Sequence, residues 1–177
     1  MIEFKHVSKV FHGHKIIDDI SFVIEDGEFV VLLGESGCGK TTTLKMINKL
    51  IVPSSGTVEI GGQDIGKMDP IALRRRMGYV IQQIGLFPHM TVRENIEIIA
   101  KMNNRDKDRL EANARKLMKM VNLDPDQYLD VYPSEMSGGQ QQRAGVVRAF
   151  MTDPEIVLMD EPFSALDPIT RTQIQNA

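Results

Sequence analysis

Residues Gly34-Glu-Ser-Gly-Cys-Gly-Lys-Thr41 follow the spacing G-x-x-x-x-G-K-[ST] without exception. The residue types suit a polyanion. Glycines let successive backbone N–H groups turn inward around phosphate oxygens. A helix starting near Lys40 would aim its positive end at the same anion. Lys40 is placed to reach β- and γ-phosphates, and Thr41 offers a hydroxyl to Mg²⁺. The expected nucleotide contacts are therefore Gly34, Glu35, Ser36, Gly37, Cys38, Gly39, Lys40, Thr41 and Thr42. An ordinary glycine-rich turn is the alternative. Cys38 reads first as a small tolerated residue. A helix N-terminus also lowers thiol pKa, and bound nucleotide would shield it from alkylation.

A second chemical site ends the apolar run Ile156-Val-Leu-Met159, where Asp160 and Glu161 stand together. One carboxylate near a phosphate loop can hold Mg²⁺ and its waters. The other can orient or deprotonate an attacking water. Asp160 suits the first role and Glu161 the second. A third candidate is Met136-Ser-Gly-Gly-Gln140. Ser137, Gly138 and Gly139 at a helix start make an anion-binding N-terminus; an ordinary cap closed by Gln140 reads the same way.

Several elements must position these groups. Residues 2–10 and 16–24 alternate in polarity around Phe11-His-Gly-His14 and predict two strands joined by a turn. Phe29-Val-Val-Leu-Leu33 predicts a strand buried on both faces, leading into the phosphate loop. Thr42–Leu50 predicts a helix with Leu44, Ile47 and Leu50 on one face, followed by a turn at Pro53–Gly56 and a strand at Thr57–Ile60. Asp69 can cap a short helix with Pro70 at its first position. That helix ends in Arg74-Arg-Arg76, read as a solvated helix end rather than a nucleic-acid patch. Gly78–Ile81 and Ile156–Met159 predict buried strands. Between them the pattern is helical: Thr91-Val-Arg-Glu94 is a capping box, Asp106–Val121 is amphipathic, and a helix runs from Ser137 to Phe150. Asp167-Pro168 would cap a last helix still running at Ala177, so the last core strands are expected to be missing. Strands enclosing a helical block predict an α/β core, residues 1–82 plus 151–177, with an inserted helical subdomain at 83–150.

Composition narrows the class. Of 177 residues, 42% are apolar and 25% charged, as in ordinary globular proteins. A formal charge of −3 gives no field for nucleic acid. The single cysteine excludes an intrachain disulfide and fits a reducing compartment. The longest apolar run, Phe29–Leu33, is far short of the roughly 20 residues of a membrane helix.

The set Gly34–Thr41, Gln82, Met136–Gln140, Asp160-Glu161 and Ser164-Ala-Leu-Asp167 resembles the ABC ATPase family across nearly the whole chain. The resemblance implies a P-loop NTPase core, a mixed sheet with N-terminal antiparallel strands, and an inserted helical signature subdomain. By it, ATP and Mg²⁺ are the cofactors. Gln82 is the Q-loop glutamine that touches Mg²⁺ beside Thr41 and Asp160, and it senses the membrane subunits. Glu161 is the catalytic carboxylate, and Phe11 the aromatic that stacks on adenine. Ser137, Gly138, Gly139 and Gln140 form the signature, opened by Met136 where leucine is usual. Asp167 belongs to the D-loop. His89, in Phe87-Pro-His-Met90, reads as a Q-loop contact. The family works as head-to-tail dimers, so the signature would contact γ-phosphate in trans. Its partners are transmembrane permease subunits and, indirectly, a solute-binding protein, at the cytoplasmic face of the membrane. The family's switch histidine falls beyond Ala177; His6, His12, His14 and His89 all precede the signature.

Met46–Ile51, Gly78–Met90 and Asp160–Arg171 are most similar in wording to ATPases importing quaternary-amine osmoprotectants such as glycine betaine, carnitine and choline. An ATPase serving another small solute is the alternative. Chromosome and repair ATPases carry a long coiled coil before the signature, and no sustained heptads occur here. Translation-factor relatives carry two such domains. A GTPase would need Asn-Lys-x-Asp, but Asn48-Lys49 continues as Leu50-Ile51.

Overall fold

A computed structural model describes residues 1–82, 85–102 and 107–162. It contains two compact units, Met1–Arg74 and Arg75–Ala177.

The first unit begins with the predicted hairpin. β1 (Ile2–Phe11) and β2 (His14–Ile24) pair antiparallel from Ile2↔Ile24 to Phe11↔His14. The two linking residues, His12 and Gly13, have φ of 48° and 82°. Two positive φ values mark the type I′ turn, whose twist matches that of the strands. β3 (Ser55–Ile60) and the short β4 (Gln63–Asp64) complete an antiparallel sheet of order β2-β1-β3-β4. Alternation buries Ile2 and Phe4 of β1 with Val58 and Ile60 of β3, and a register shift at His6 lets Val7 be buried as well. Phe4 stacks on Phe22 at 4.4 Å between ring centres.

The helix after the phosphate loop, α1, spans Lys40–Ile47 rather than Thr42–Leu50. Thr43, Met46 and Ile47 form its buried face, whereas Leu50 is exposed. The helix stops because Asn48 leaves the helical conformation and Lys49 takes a left-handed φ of 55°. Arg74 donates to the carbonyls of Asn48 at 3.0 Å and Lys49 at 2.7 Å. The Asp69 carboxylate accepts from Ala72 N at 3.0 Å and caps α2 (Pro70–Arg75) as expected. Arg74 therefore complements a helix end, that of α1, and Arg76 pairs with Glu155 at 2.6 Å.

Among the described residues, no strand forms at the predicted Phe29–Leu33 and no ladder includes them; Phe29 and Leu33 are 88% and 87% exposed. A strand buried on both faces needs ladder partners on its flanks and layers above and below. An apolar, β-branched run supplies the propensity for such a strand but not its neighbours.

In the second unit β5 (Met77–Val80) and β6 (Ile156–Met159) pair in parallel. Among the described residues, four α-helices lie between them in sequence: α3 (Val92–Met102), α4 (Lys107–Met120), α5 (Pro125–Tyr128) and α6 (Gly138–Phe150). Helical spacing gathers Val92, Ile96 and Ala100 of α3, Leu110, Ala114 and Met118 of α4, and Ala144 and Val147 of α6 into one core. Each large side chain buried there contributes about 1.5–3 kcal/mol. At Gly78 on β5, an added Cβ would stand 2.3 Å from the Ala149 carbonyl oxygen. Only glycine lets the end of α6 approach the strand this closely. Among the described residues, no helix is long and apolar enough to cross a membrane.

A chain of ion pairs joins the helices on their polar side. Arg93 contacts Asp130 at 2.8 Å and Glu111 at 3.0 Å; Arg115 contacts Glu111 at 3.2 Å and Asp126 at 2.6 Å. Hydrogen bonding from Arg93 lowers the Asp130 pKa, and hydrogen bonding from Arg115 lowers that of Asp126. A carboxylate whose folded pKa is lowered stabilises the fold above its unfolded value, 3.8 here, and loses that contribution as pH falls through the folded value. The difference in thermal midpoint between the parent and Asp130→Asn should therefore be present at neutral pH and close as pH drops below the carboxylate range. A difference independent of pH would contradict this origin.

Candidate functional site

In the first unit the phosphate loop is built by local geometry. Gly39 precedes α1 with φ of 101°, and a Cβ there would stand 3.1 Å from Ile17 Cγ1. A side chain would meet both strain and the hairpin. The Lys40 ammonium curls back into the loop, donating to the carbonyls of Gly34 and Glu35, each at 2.8 Å. Its Nζ also lies 3.7 Å from Cys38 Sγ, and the thiol is exposed. The loop thus gathers a cation, a helix N-terminus and turned backbone at one place, as an anion cradle requires. Phe11 closes β1, 37% exposed. Lys9 Nζ lies 4.8 Å from the centre of its ring and donates to the Val52 carbonyl at 2.6 Å.

In the second unit the parallel ladder decides the geometry. Val80 pairs with Met159, and Asp160 N donates to Val80 O at 2.9 Å. Gln82 and Glu161 each lie two residues beyond those partners, so the strands deliver them side by side. Gln82 Nε2 donates to Glu161 Oε2 at 2.8 Å. Glu161 has a left-handed φ of 49°, an uncommon conformation for a residue with a long side chain and one it shares with Lys49 at the end of α1. Asp160, one residue back, is buried. Tyr79 on β5 has a buried hydroxyl without a hydrogen-bond partner among the described residues. Burial, and secondarily the Asp160 charge, raise its pKa.

The signature forms the cap read from its residues. Ser137 Oγ accepts from Gln140 N at 3.3 Å, and Gln140 Oε1 accepts from Ser137 N at 2.8 Å. Gln140 Nε2 donates to the Tyr128 hydroxyl at 2.9 Å, which ties the cap to α5. Met136 is buried in the helical core and anchors the chain as it enters α6. Gly138 and Gly139 occupy the first helical positions, where N–H groups have no intrahelical partner.

The family described as ABC transporter matches residues 17–164. This chain belongs to the ABC transporter family. As in that family, it combines an α/β fold having N-terminal antiparallel strands with a helical region. Over 99% of its length it is 53% identical to the glycine betaine/carnitine/choline transport ATP-binding protein OpuCA of Bacillus subtilis and 54% identical to the osmoprotectant import ATP-binding protein OsmV of Salmonella typhimurium. It covers 46% and 47% of those proteins, so it spans about half their length. Among solved structures, a dimeric ATP-binding cassette in a post-hydrolysis state with ADP and Pi matches with a TM-score of 0.89 and 32% identity, over 99% of this chain and 80% of that one.

Of the residues read as functional in this ABC chain, Gln82 and Glu161 are in contact, and Asp160 adjoins them. Gly34–Thr42 and Phe11 belong to the first unit. Asp167, the motif Ser164–Asp167 and the last predicted helix lie outside the described residues. Two polar residues escaped the sequence reading. Asn95 stands three residues after Val92 and one before Ile96, on the buried face of α3. An amide on an apolar stripe was the available signal. Arg148 ends α6 with Nη1 on the Gly85 carbonyl at 2.7 Å, and burial lowers its pKa.

Replacing Ser137 by alanine should cost about 1 kcal/mol, but only a few tenths when glycine is used. Urea unfolding checks both. No measurable loss in Ser137→Ala would show that the cap hydrogen bond is not what holds the start of α6.

Proposed function

We propose that this chain is the ATP-binding and ATP-hydrolysing part of a subunit that powers an ABC importer for quaternary-amine osmoprotectants such as glycine betaine, carnitine or choline. The observation that carries the chemistry is the 2.8 Å contact between Gln82 and Glu161 beside Asp160, in a chain that also holds the phosphate loop. The identities of 53% and 54% to the two osmoprotectant ATPases support the solute class.

The residues divide the work. Backbone N–H groups of Gly34–Thr42 and the Lys40 ammonium hold the phosphates, and Phe11 stacks on adenine. Thr41, Gln82 and Asp160 offer hydroxyl, amide and carboxylate oxygens, the hard donors that Mg²⁺ prefers. Because Gln82 Nε2 is engaged by Glu161, its amide oxygen is the atom that would serve a bound cation. Bound Mg²⁺ supplies charge neutralisation on the β- and γ-phosphates. Glu161 accepts a proton from, or orients, the attacking water. Ser137, Gly138, Gly139 and Gln140 serve the nucleotide of a second, head-to-tail ATPase subunit, and Asp167 lies at that interface. The nucleotide-binding core is 1–82 plus 151–177, and 83–150 is the helical subdomain. Closure of the pair passes through Gln82–Met90 to transmembrane permease subunits at the cytoplasmic face. A solute-binding protein acts through those subunits.

Mg-ATP at 100 times its Kd should stabilise the chain by about 2.7 kcal/mol, raising its thermal midpoint. Lys40→Ala should abolish the rise. A midpoint unmoved by millimolar Mg-ATP would reject ATP binding by this chain. In the assembled transporter, Glu161→Gln should keep ATP binding and stop turnover; hydrolysis at the parental rate would remove Glu161 from its role.

A further inference from the structure

The segment after Gln82 is held by a side chain that no motif contains. Asn95 is 0% exposed in the first turn of α3 and lies among Val92, Ile96 and Ala100, all fully buried. A polar group in such a place costs stability unless its hydrogen bonds are met. The hydrogen bonds of its side chain go to one loop. Oδ1 accepts from Phe87 N at 2.7 Å. Nδ2 shares its two hydrogens among the carbonyls of Phe87 at 3.1 Å, Met90 at 3.1 Å and Thr91 at 3.0 Å. The amide pairs with both the N–H and the C=O of Phe87, as one peptide group pairs with another in a sheet. An amide carries an acceptor and two donor hydrogens in one plane, which an ionised carboxylate does not. The loop backbone is gripped again at Gly85, whose carbonyl accepts from Arg148. With the backbone held inward, the rings of Phe87 and His89 stand exposed, edge to face at 6.0 Å.

We infer that Asn95 is a positioning residue: its buried amide clamps the backbone of Phe87–Thr91 and fixes how the segment after Gln82 presents Phe87 and His89. The functional weight of the clamp rests on the reading of Gln82–Met90 as the transmitting segment. The clamp itself rests on hydrogen bonds.

Hydrogen exchange of the 85–91 backbone, referred to intrinsic rates, tests it in the parent chain, Asn95→Ala, Asn95→Asp and Arg148→Gln. Asn95→Ala should exchange at least about tenfold faster across 85–91, equivalent to about 1.4 kcal/mol, with α1 and the last turns of α6 unchanged. Arg148→Gln should loosen Gly85 and Leu86 and leave the Phe87 amide protected, which keeps the test alive if the alanine variant fails to fold. Asn95→Asp supplies a signature that packing alone does not. A carboxylate facing three carbonyls repels them and titrates upward. Protection across 85–91 should be lower at about pH 8, where the carbonyls of Phe87, Met90 and Thr91 lose their donor, and recover toward about pH 5 as protonation restores one. Unchanged exchange in folded Asn95→Ala, loosening spread evenly through 75–162, or an aspartate variant indifferent to pH would each overturn the inference. Lys40 is intact in these variants, so a separate failure of the parent to bind Mg-ATP would sink the functional reading while leaving the exchange result standing.

Discussion

The parallel register of β5 and β6 is the constraint on which the candidate chemistry depends. Once Val80 is opposite Met159, the residues two steps beyond each strand end must emerge together. Gln82 and Glu161 are those residues, and their side chains are joined by a hydrogen bond. A slip by one position would place Ile81 against Glu161 and turn every side chain of the slipped strand to the opposite face. The register is held by packing on the strands. Gly78 admits the Ala149 carbonyl, and Leu158 is buried. The packing of α6 on β5 therefore helps specify the carboxylate–amide pair.

The phosphate loop depends on nothing so distant. Its geometry follows from glycine at the entry to α1 and from a lysine long enough to fold back onto its own loop. The loop of the first unit and the pair of the second arise in different ways. The loop is a contiguous motif with local strain, whereas the Gln82–Glu161 pair is a contact between strand ends far apart in sequence. The helical signature belongs to a third kind, a capped helix N-terminus whose N–H groups need a partner from outside the helix.

That division accounts for what could be read from the residues alone. The hairpin was legible from alternation around His12-Gly13, and both capping boxes, Thr91–Glu94 and Ser137–Gln140, form with reciprocal hydrogen bonds. Short-range chemistry writes itself into short sequences. Gln82 and Glu161 were each singled out from the sequence, but their hydrogen bond was not legible there, because spacing along one strand carries no register. The run Phe29–Leu33 shows the reverse error: apolar, β-branched residues express a preference for strand, and partners decide whether one forms. The end of α1 was missed because Asn48 and Lys49 leave the helix through backbone angles that neither residue demands. Asn95 was overlooked because the helical periodicity around it reads as core, and only the loop it meets explains an amide there.

The central claim is that the chain recognises a phosphate chain through backbone N–H groups and Lys40, with adenine stacking secondary. Calorimetric titration of the chain with ATP, ADP and AMP in Mg²⁺ tests it most directly. ATP and ADP should bind, with AMP at least about tenfold weaker, a difference of about 1.4 kcal/mol. AMP binding within about twofold of ATP, a difference of less than about 0.5 kcal/mol, would contradict the account, because affinity would then come from the base and not from the loop.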